Sequence, residues 1–138
     1  MGESGTYELR YEPPSVDDYC RLRLQTGLGA KSAEAAKLGL AGTWFGVSVV
    51  HGGRAVGMGR IIGDGGLFFQ IVDIGVLPEH RGKGLGKRIM GALVERLEEA
   101  APRSAFVSLL ADGEAHRLYR NYGFEPTAPD SIGMRRRF

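Results

Sequence analysis

Hydrophobic and polar positions along the chain change period from block to block. From Tyr7 to Tyr11 the order Tyr-Glu-Leu-Arg-Tyr alternates, the period-two pattern of a strand, and Pro13-Pro14 ends it. Ser15 then stands as an N-cap, with Asp17 and Asp18 in the first turn, and Val16, Tyr19, Cys20, Leu22 and Leu24 carry a helix towards Gly27. Residues 32–38 suit a second helix on propensity, finishing near Gly39 or Gly42. Trp44 to Val50 is β-rich, His51-Gly52-Gly53 is a tight turn, and Arg54 to Ile62 is β-rich again, which predicts a hairpin. Gly63-Asp64-Gly65-Gly66 turns the chain once more into a strand over Phe68–Leu77.

Beyond Pro78 the period lengthens. Leu85, Ile89, Leu93 and Leu97 recur at helical spacing, so a helix runs to Ala100 and stops at Pro102. Ala105 to Leu110 reads as a buried strand and Gly113 to Tyr122 as a short helix closed at Gly123. Phe124 and the Ile132–Phe138 tail are expected to supply the last strands. The order is β-α-α-β-β-β-α-β-α-β-β, an α/β class domain with a mixed, mostly antiparallel sheet, spanning residues 1–138 without repeats, low-complexity tracts or linkers.

Between the third of the consecutive strands and the long helix lies Arg81-Gly82-Lys83-Gly84-Leu85-Gly86-Lys87-Arg88. The glycines let successive N–H groups approach a ligand without Cβ obstruction, and the unpaired amides of the new helix point to the same place. With the flanking cations, the natural ligand is a phosphate or diphosphate at a helix N-terminus. A Walker A loop is excluded, because Arg81 and Arg88 occupy the positions that require Gly and Ser or Thr. The dinucleotide fingerprint fails as well: its third glycine would fall on Lys87 or, counted from Gly57, on Ile62.

Composition narrows the classes. The chain has 138 residues, 43% of them hydrophobic and 25% charged, enough for one domain with a real core. A formal charge of +2 is too small to imply a nucleic-acid partner. Cys20 is the single cysteine, so no internal disulfide forms and a reducing compartment is expected. No apolar run approaches the ~20 residues of a membrane span, and the Met1–Thr6 start lacks the basic and apolar regions of a signal peptide. The expectation is a cytoplasmic protein with no membrane partner. His51, His80 and His116 show no metal-site spacing, and no metal is expected.

Arg81-Gly82-Lys83-Gly84-Leu85-Gly86, following a strand and Pro78-Glu79, resembles the acyl-CoA motif of the GNAT superfamily of N-acetyltransferases. Ala115-x-x-Leu118-Tyr119-x-x-x-Gly123-Phe124 resembles that family's closing element, and the order of elements also matches. The resemblance implies a GNAT-like fold and acetyl-CoA as cosubstrate, its diphosphate on Arg81, Gly82, Lys83, Gly84, Leu85, Gly86 and Lys87. It further implies that Ile74, Gly75 and Val76 part from the next strand and bind the pantetheine like an added strand, an N–H near Ile74 or Gly75 meeting the acyl oxygen. By the same resemblance Tyr119 contacts the cosubstrate and protonates the departing CoA thiolate.

For the proton leaving the amine, Asp73 is the best-placed carboxylate, since a charge in an apolar strand is costly unless paired or functional. Base, ammonium ligand or simple structural partner are its open roles, and a water chain is the alternative base. Asp112 departs from the Asn common in the family; an ionised Asp only accepts, so its contact with the cosubstrate stays open, as does a helix-capping role. On the acceptor side Tyr19, Arg23, Lys31, Trp44, Phe45, Phe69 and the Thr127–Ile132 loop are candidates. The expected function is acetyl transfer to a primary amine of a small metabolite. A protein or peptide amine, a non-catalytic acyl-CoA-binding module and a nucleic-acid binder using the basic loop and Arg135-Arg136-Arg137 are the competitors. Relatives that pair through terminal strands make a homodimer an option.

Overall fold

Side-chain caps start the two early helices where the serines stand. In the computed structural model, which describes residues 6–138, Ser15 Oγ accepts the N–H of Asp18 at 3.2 Å and opens α1 (Val16–Gln25). Ser32 Oγ accepts that of Ala35 at 3.0 Å and opens α2 (Ala33–Ala41). Each bond satisfies one amide that the first helical turn leaves without a partner. The Met1–Thr6 start, apart from Thr6, lies outside the described residues.

The strands are β1 (Glu8–Arg10), β2 (Phe45–His51), β3 (Arg54–Gly63), β4 (Phe68–Val76) and β5 (Phe106–Leu109). They form one sheet in the order β1-β2-β3-β4-β5, antiparallel except for the parallel β4–β5 pair. Gly52 and Gly53, at φ 59° and 78°, make the turn of the β2–β3 hairpin, whose two positive φ angles match the twist of the strands. Between β4 and β5 the chain crosses the sheet as α3 (Leu85–Ala100), as a parallel pairing requires.

Leu85, Ile89, Leu93 and Leu97, the predicted stripe, are all buried, and they pack on the sheet face that carries Val47, Val49, Gly57, Gly59 and Ile61. The helix sits close because β3 has no side chain at Gly59, where a Cβ would lie 2.6 Å from Ile89 Cγ2. Among the described residues no helix is long and apolar enough to cross a membrane.

Three expectations are corrected. The tail forms no strand: after the short α4 (His116–Arg120), residues 124–138 are irregular, and Ile132, Met134 and Phe138 are exposed. Pro126 and Pro129 each lack an N–H for a ladder, and a strand needs a partner that this stretch does not find. As a consequence β5 is an edge strand rather than a buried one, with Phe106 and Leu110 largely exposed. Leu24 points to solvent, away from the core that Tyr19 and Leu22 enter.

Candidate active site

The antiparallel register of β3 and β4 slips by one residue at the middle of the sheet. Met58 pairs with Gly75 but Arg60 pairs with Val72, so Asp73 and Ile74 together oppose Gly59. Asp73 adopts φ 61°, the left-handed conformation of a bulge. On its other side β4 pairs with β5 only through Ile71↔Leu109, leaving residues 72–76 unpaired along that edge and half-buried. Leu77 N–H donates to Val56 O at 2.9 Å. Antiparallel alternation therefore turns Gly75 towards β3 and leaves the main-chain groups of Ile74 and Val76 facing the gap.

At the end of this edge the glycine loop enters α3. Gly82 and Gly84 both have φ 79°, and a Cβ at either would point into open space. Gly84 is the N-cap of α3 and offers no side-chain bond. Among the described residues the N–H groups from Gly82 to Lys87 find no intramolecular acceptor; the first helical bond is from Arg88 N to Gly84 O at 3.1 Å. A run of unpaired, Cβ-free amides at the positive end of a helix, with Lys83, Lys87 and Arg88 exposed around it, is a fitting cradle for a diphosphate. Arg81 is held differently. Its Nε donates to Val76 O at 2.9 Å and its Nη2 to Thr26 O at 3.3 Å, lacing the C-terminus of α1 to the end of β4. Its guanidinium thus sets the loop's position.

Asp73 anchors an ion network. Its Oδ1 accepts Arg23 Nη1 at 3.1 Å, and its Oδ2 accepts Arg60 Nε and the Tyr19 hydroxyl, both at 2.9 Å. The carboxylate is 6% exposed and the Arg60 side chain 9%, so this is a desolvated cluster rather than a surface ion pair. Arg60 Nη1 also donates to Thr43 Oγ1 at 2.6 Å, which ties in the start of β2. Burial, followed by the Asp73 charge and the hydrogen bond to it, pushes the Tyr19 hydroxyl up to about 12, so it remains a neutral donor. Both oxygens of Asp73 are thus committed to donors of α1 and β3, the arrangement of a structural anchor.

A cavity of about 450 Å³ lies between this network and the parted ends of β4 and β5. Tyr19, Arg23, Lys31, Arg60, Asp73 and Ile74 line one wall, and Leu109, Asp112, Ala115 and Tyr119 line the other. The Tyr119 hydroxyl makes no hydrogen bond among the described residues. Burial, and secondarily the charge of Asp112, raise its pKa above the ordinary 10.0, so it carries its proton throughout the neutral range. Asp112 does not cap α4: the N-cap is Ala115, whose side chain makes no bond.

The Acetyltransferase (GNAT) domain family matches residues 43–126 of this chain. The chain belongs to the GNAT acetyltransferase family. A protein from meticillin-resistant Staphylococcus aureus, described as a probable acetyltransferase, is 42% identical, covers 96% of this chain and 100% of its own, and superposes with a TM-score of 0.92. A chloroplastic GCN5-related N-acetyltransferase of Arabidopsis thaliana is 37% identical over 83 residues, 59% of this chain and 31% of its own length. A histone acetyltransferase of Glycine max is 33% identical over 81 residues, 59% of this chain and 34% of its own. The match thus spans about a third of these plant proteins.

The cavity of this GNAT domain brings together Ile74, Asp112 and Tyr119 with the acceptor-side candidates Tyr19, Arg23 and Lys31, whereas Val76, the 82–87 loop, Trp44, Phe45 and Phe69 lie outside its lining. Trp44 and Phe69 meet edge to face at 4.7 Å in the core, and Phe45 stacks on Tyr11 at 6.0 Å. The Thr127–Ser131 stretch lines a separate, apolar cavity of about 320 Å³ that shares Tyr119 with the first. Arg60 was missed. It is a lone charge in an apolar strand, the same signal that singles out Asp73, and the two pair across adjacent strands. The fold also joins two histidines from different turns: His51 and His80 rings lie 5.1 Å apart, and the Tyr7 hydroxyl meets His80 Nδ1 at 2.8 Å.

Proposed function

We propose that this GNAT domain transfers an acetyl group from acetyl-CoA to the primary amine of a small metabolite. The observation that carries this reading is the run of unpaired amides from Gly82 to Lys87 opening beside an unpaired strand edge. Bound there, acetyl-CoA supplies a thioester carbonyl for attack and a thiolate as leaving group. Lys83, Lys87 and the loop amides hold the diphosphate, a handle remote from the reacting carbon whose binding positions it. Ile74 and Val76 hydrogen-bond the pantetheine as an added strand, and the Ile74 N–H donates to the acyl oxygen as charge builds on it.

The nitrogen–carbon bond forms as the carbon–sulfur bond breaks, and Tyr119 gives its proton to the sulfur. The proton lost by the nitrogen passes to water in the cavity. Asp73 keeps Arg23 and Arg60 in place, and their charge favours the neutral, nucleophilic form of a nearby amine. A cavity of about 450 Å³ fits a small amine and belongs to the ordinary size range of small-molecule sites.

Calorimetry with acetyl-CoA, followed by an amine panel monitored through CoA thiol release, tests the proposal. Saturable binding with amine-dependent thiol release is expected. Binding without release by any amine would leave a non-catalytic acyl-CoA module, and no binding at all would remove the reading.

A further inference from the structure

The charges lining the cavity are unequal between its two walls. On the wall formed by α1, the segment after it and β3–β4, Arg23, Lys31 and Arg60 face a single carboxylate, Asp73. Asp112, the other carboxylate of the cavity, belongs to the opposite wall beside Tyr119. Asp73 does not exhaust its partners. Arg23 uses Nε and Nη1, on Gly29 O and Asp73, and Arg60 uses Nε and Nη1, on Asp73, Thr43 and Gly39 O. The Nη2 groups of both arginines and the Lys31 ammonium make no hydrogen bond or ion pair among the described residues. No side-chain polar atom of a residue that is not exposed is both fully buried and unpartnered among them, so the two Nη2 groups keep access to solvent, and Arg23, Arg60 and the exposed Lys31 all line the cavity.

A wall with more cations than anions repels a simple alkylammonium, the form in which most amines arrive. It attracts an amine that carries its own anion, and two guanidinium groups beside an ammonium suit an oxyanion in planar or tetrahedral form. We propose that the acceptor is a small primary amine bearing a carboxylate or phosphate, the anion seated on Arg23, Lys31 and Arg60. This rests on the acetyl-transfer reading above and adds to it the class of acceptor. The amine then lies between the anion subsite and Ile74, where the surplus positive charge favours its loss of a proton.

Matched pairs of amines test it: an amino acid against the same amine without its carboxylate, and a phosphorylated amino alcohol against the free alcohol. Each is titrated calorimetrically into the protein saturated with CoA and assayed for thiol release with acetyl-CoA. In at least one type of pair the anionic member is expected to bind about 10-fold or more tightly, the effect of one good charge-assisted contact. Gain only in the phosphate pairs assigns a phosphate, and gain only in the carboxylate pairs assigns a carboxylate. Lys31→Glu, at an exposed position, is expected to reduce that preference to about 3-fold or less, since it replaces an attractive charge by a repulsive one. Equal or weaker binding of both kinds of anionic member overturns the assignment, as does thiol release that is fastest with the members that lack the anion, which would leave acetyl transfer itself standing. Anion-dependent binding without thiol release from any pair would support the subsite and overturn acetyl transfer.

Discussion

Asp73 Oδ2 lies 2.9 Å from Arg60 Nε, a contact that closes the gap in the ladder where β4 bulges away from β3. Removing one member of such a buried pair strands the charge of the other. Asp73→Asn is therefore expected to lower stability by about 3 kcal/mol, measured by urea unfolding. The acidic limb of its pH–rate profile should persist, because the proton of the amine leaves through water. A variant as stable as the parent but without that limb would return Asp73 to the role of base.

Tyr119 faces the cavity with an uncommitted hydroxyl. Tyr119→Phe is expected to reduce kcat by roughly 100-fold, the scale of one proton-transfer group, with acetyl-CoA affinity changed less than about 2-fold. Because burial and Asp112 raise the Tyr119 pKa, the alkaline loss of activity from its ionisation falls above pH 10.0. Asp112→Asn removes the second of those causes, so the alkaline limb should move to lower pH. A limb that stays in place separates Asp112 from this proton.

Tyr19 makes alkaline stability a second readout of the ion network. Its folded pKa of about 12 exceeds the ordinary 10.0, so the proton's contribution is complete below pH 10 and is lost as pH rises through about 12. Unfolding midpoints measured across that window should fall, and Tyr19→Phe should flatten the fall. A slope unchanged by the substitution removes Tyr19 as its source.

Gly84 at φ 79° is both the N-cap of α3 and part of the open amide cradle. Gly84→Ala is expected to destabilise the fold by about 1–2 kcal/mol, the strain of a left-handed alanine. It should weaken acetyl-CoA binding at least about 10-fold by placing a methyl group where the diphosphate approaches, a loss of 1.4 kcal/mol or more. Calorimetry on the folded variant decides; undiminished affinity places the diphosphate elsewhere.

Much of this was visible in the residues. The Leu85, Ile89, Leu93 and Leu97 stripe, the Ser15 cap and the helix propensity of residues 32–38 are local signals, so α3, α1 and α2 lie close to where these place them, with Ser32 the cap of α2 rather than its first residue. The glycine loop was legible because few residue types permit unpaired amides to be approached. The last two strands were not, because a strand exists only with a partner and the irregular tail finds none. The lone charge of Asp73 announced a partner without naming it, since Tyr19 and Arg23 come from α1 and Arg60 from β3, and these meet β4 only after folding.

By itself the sequence determined the family, the order of the elements up to α4 and the place of the glycine loop that opens α3. All of these are properties of short windows: period, capping and glycine content. Only the tertiary structure decided that Asp73 is spoken for, that Arg81 points back into the scaffold and that the cavity wall carries unmatched positive charge. Those outcomes depend on distances between residues far apart in the chain, and electrostatics and desolvation act through distance and burial rather than through order.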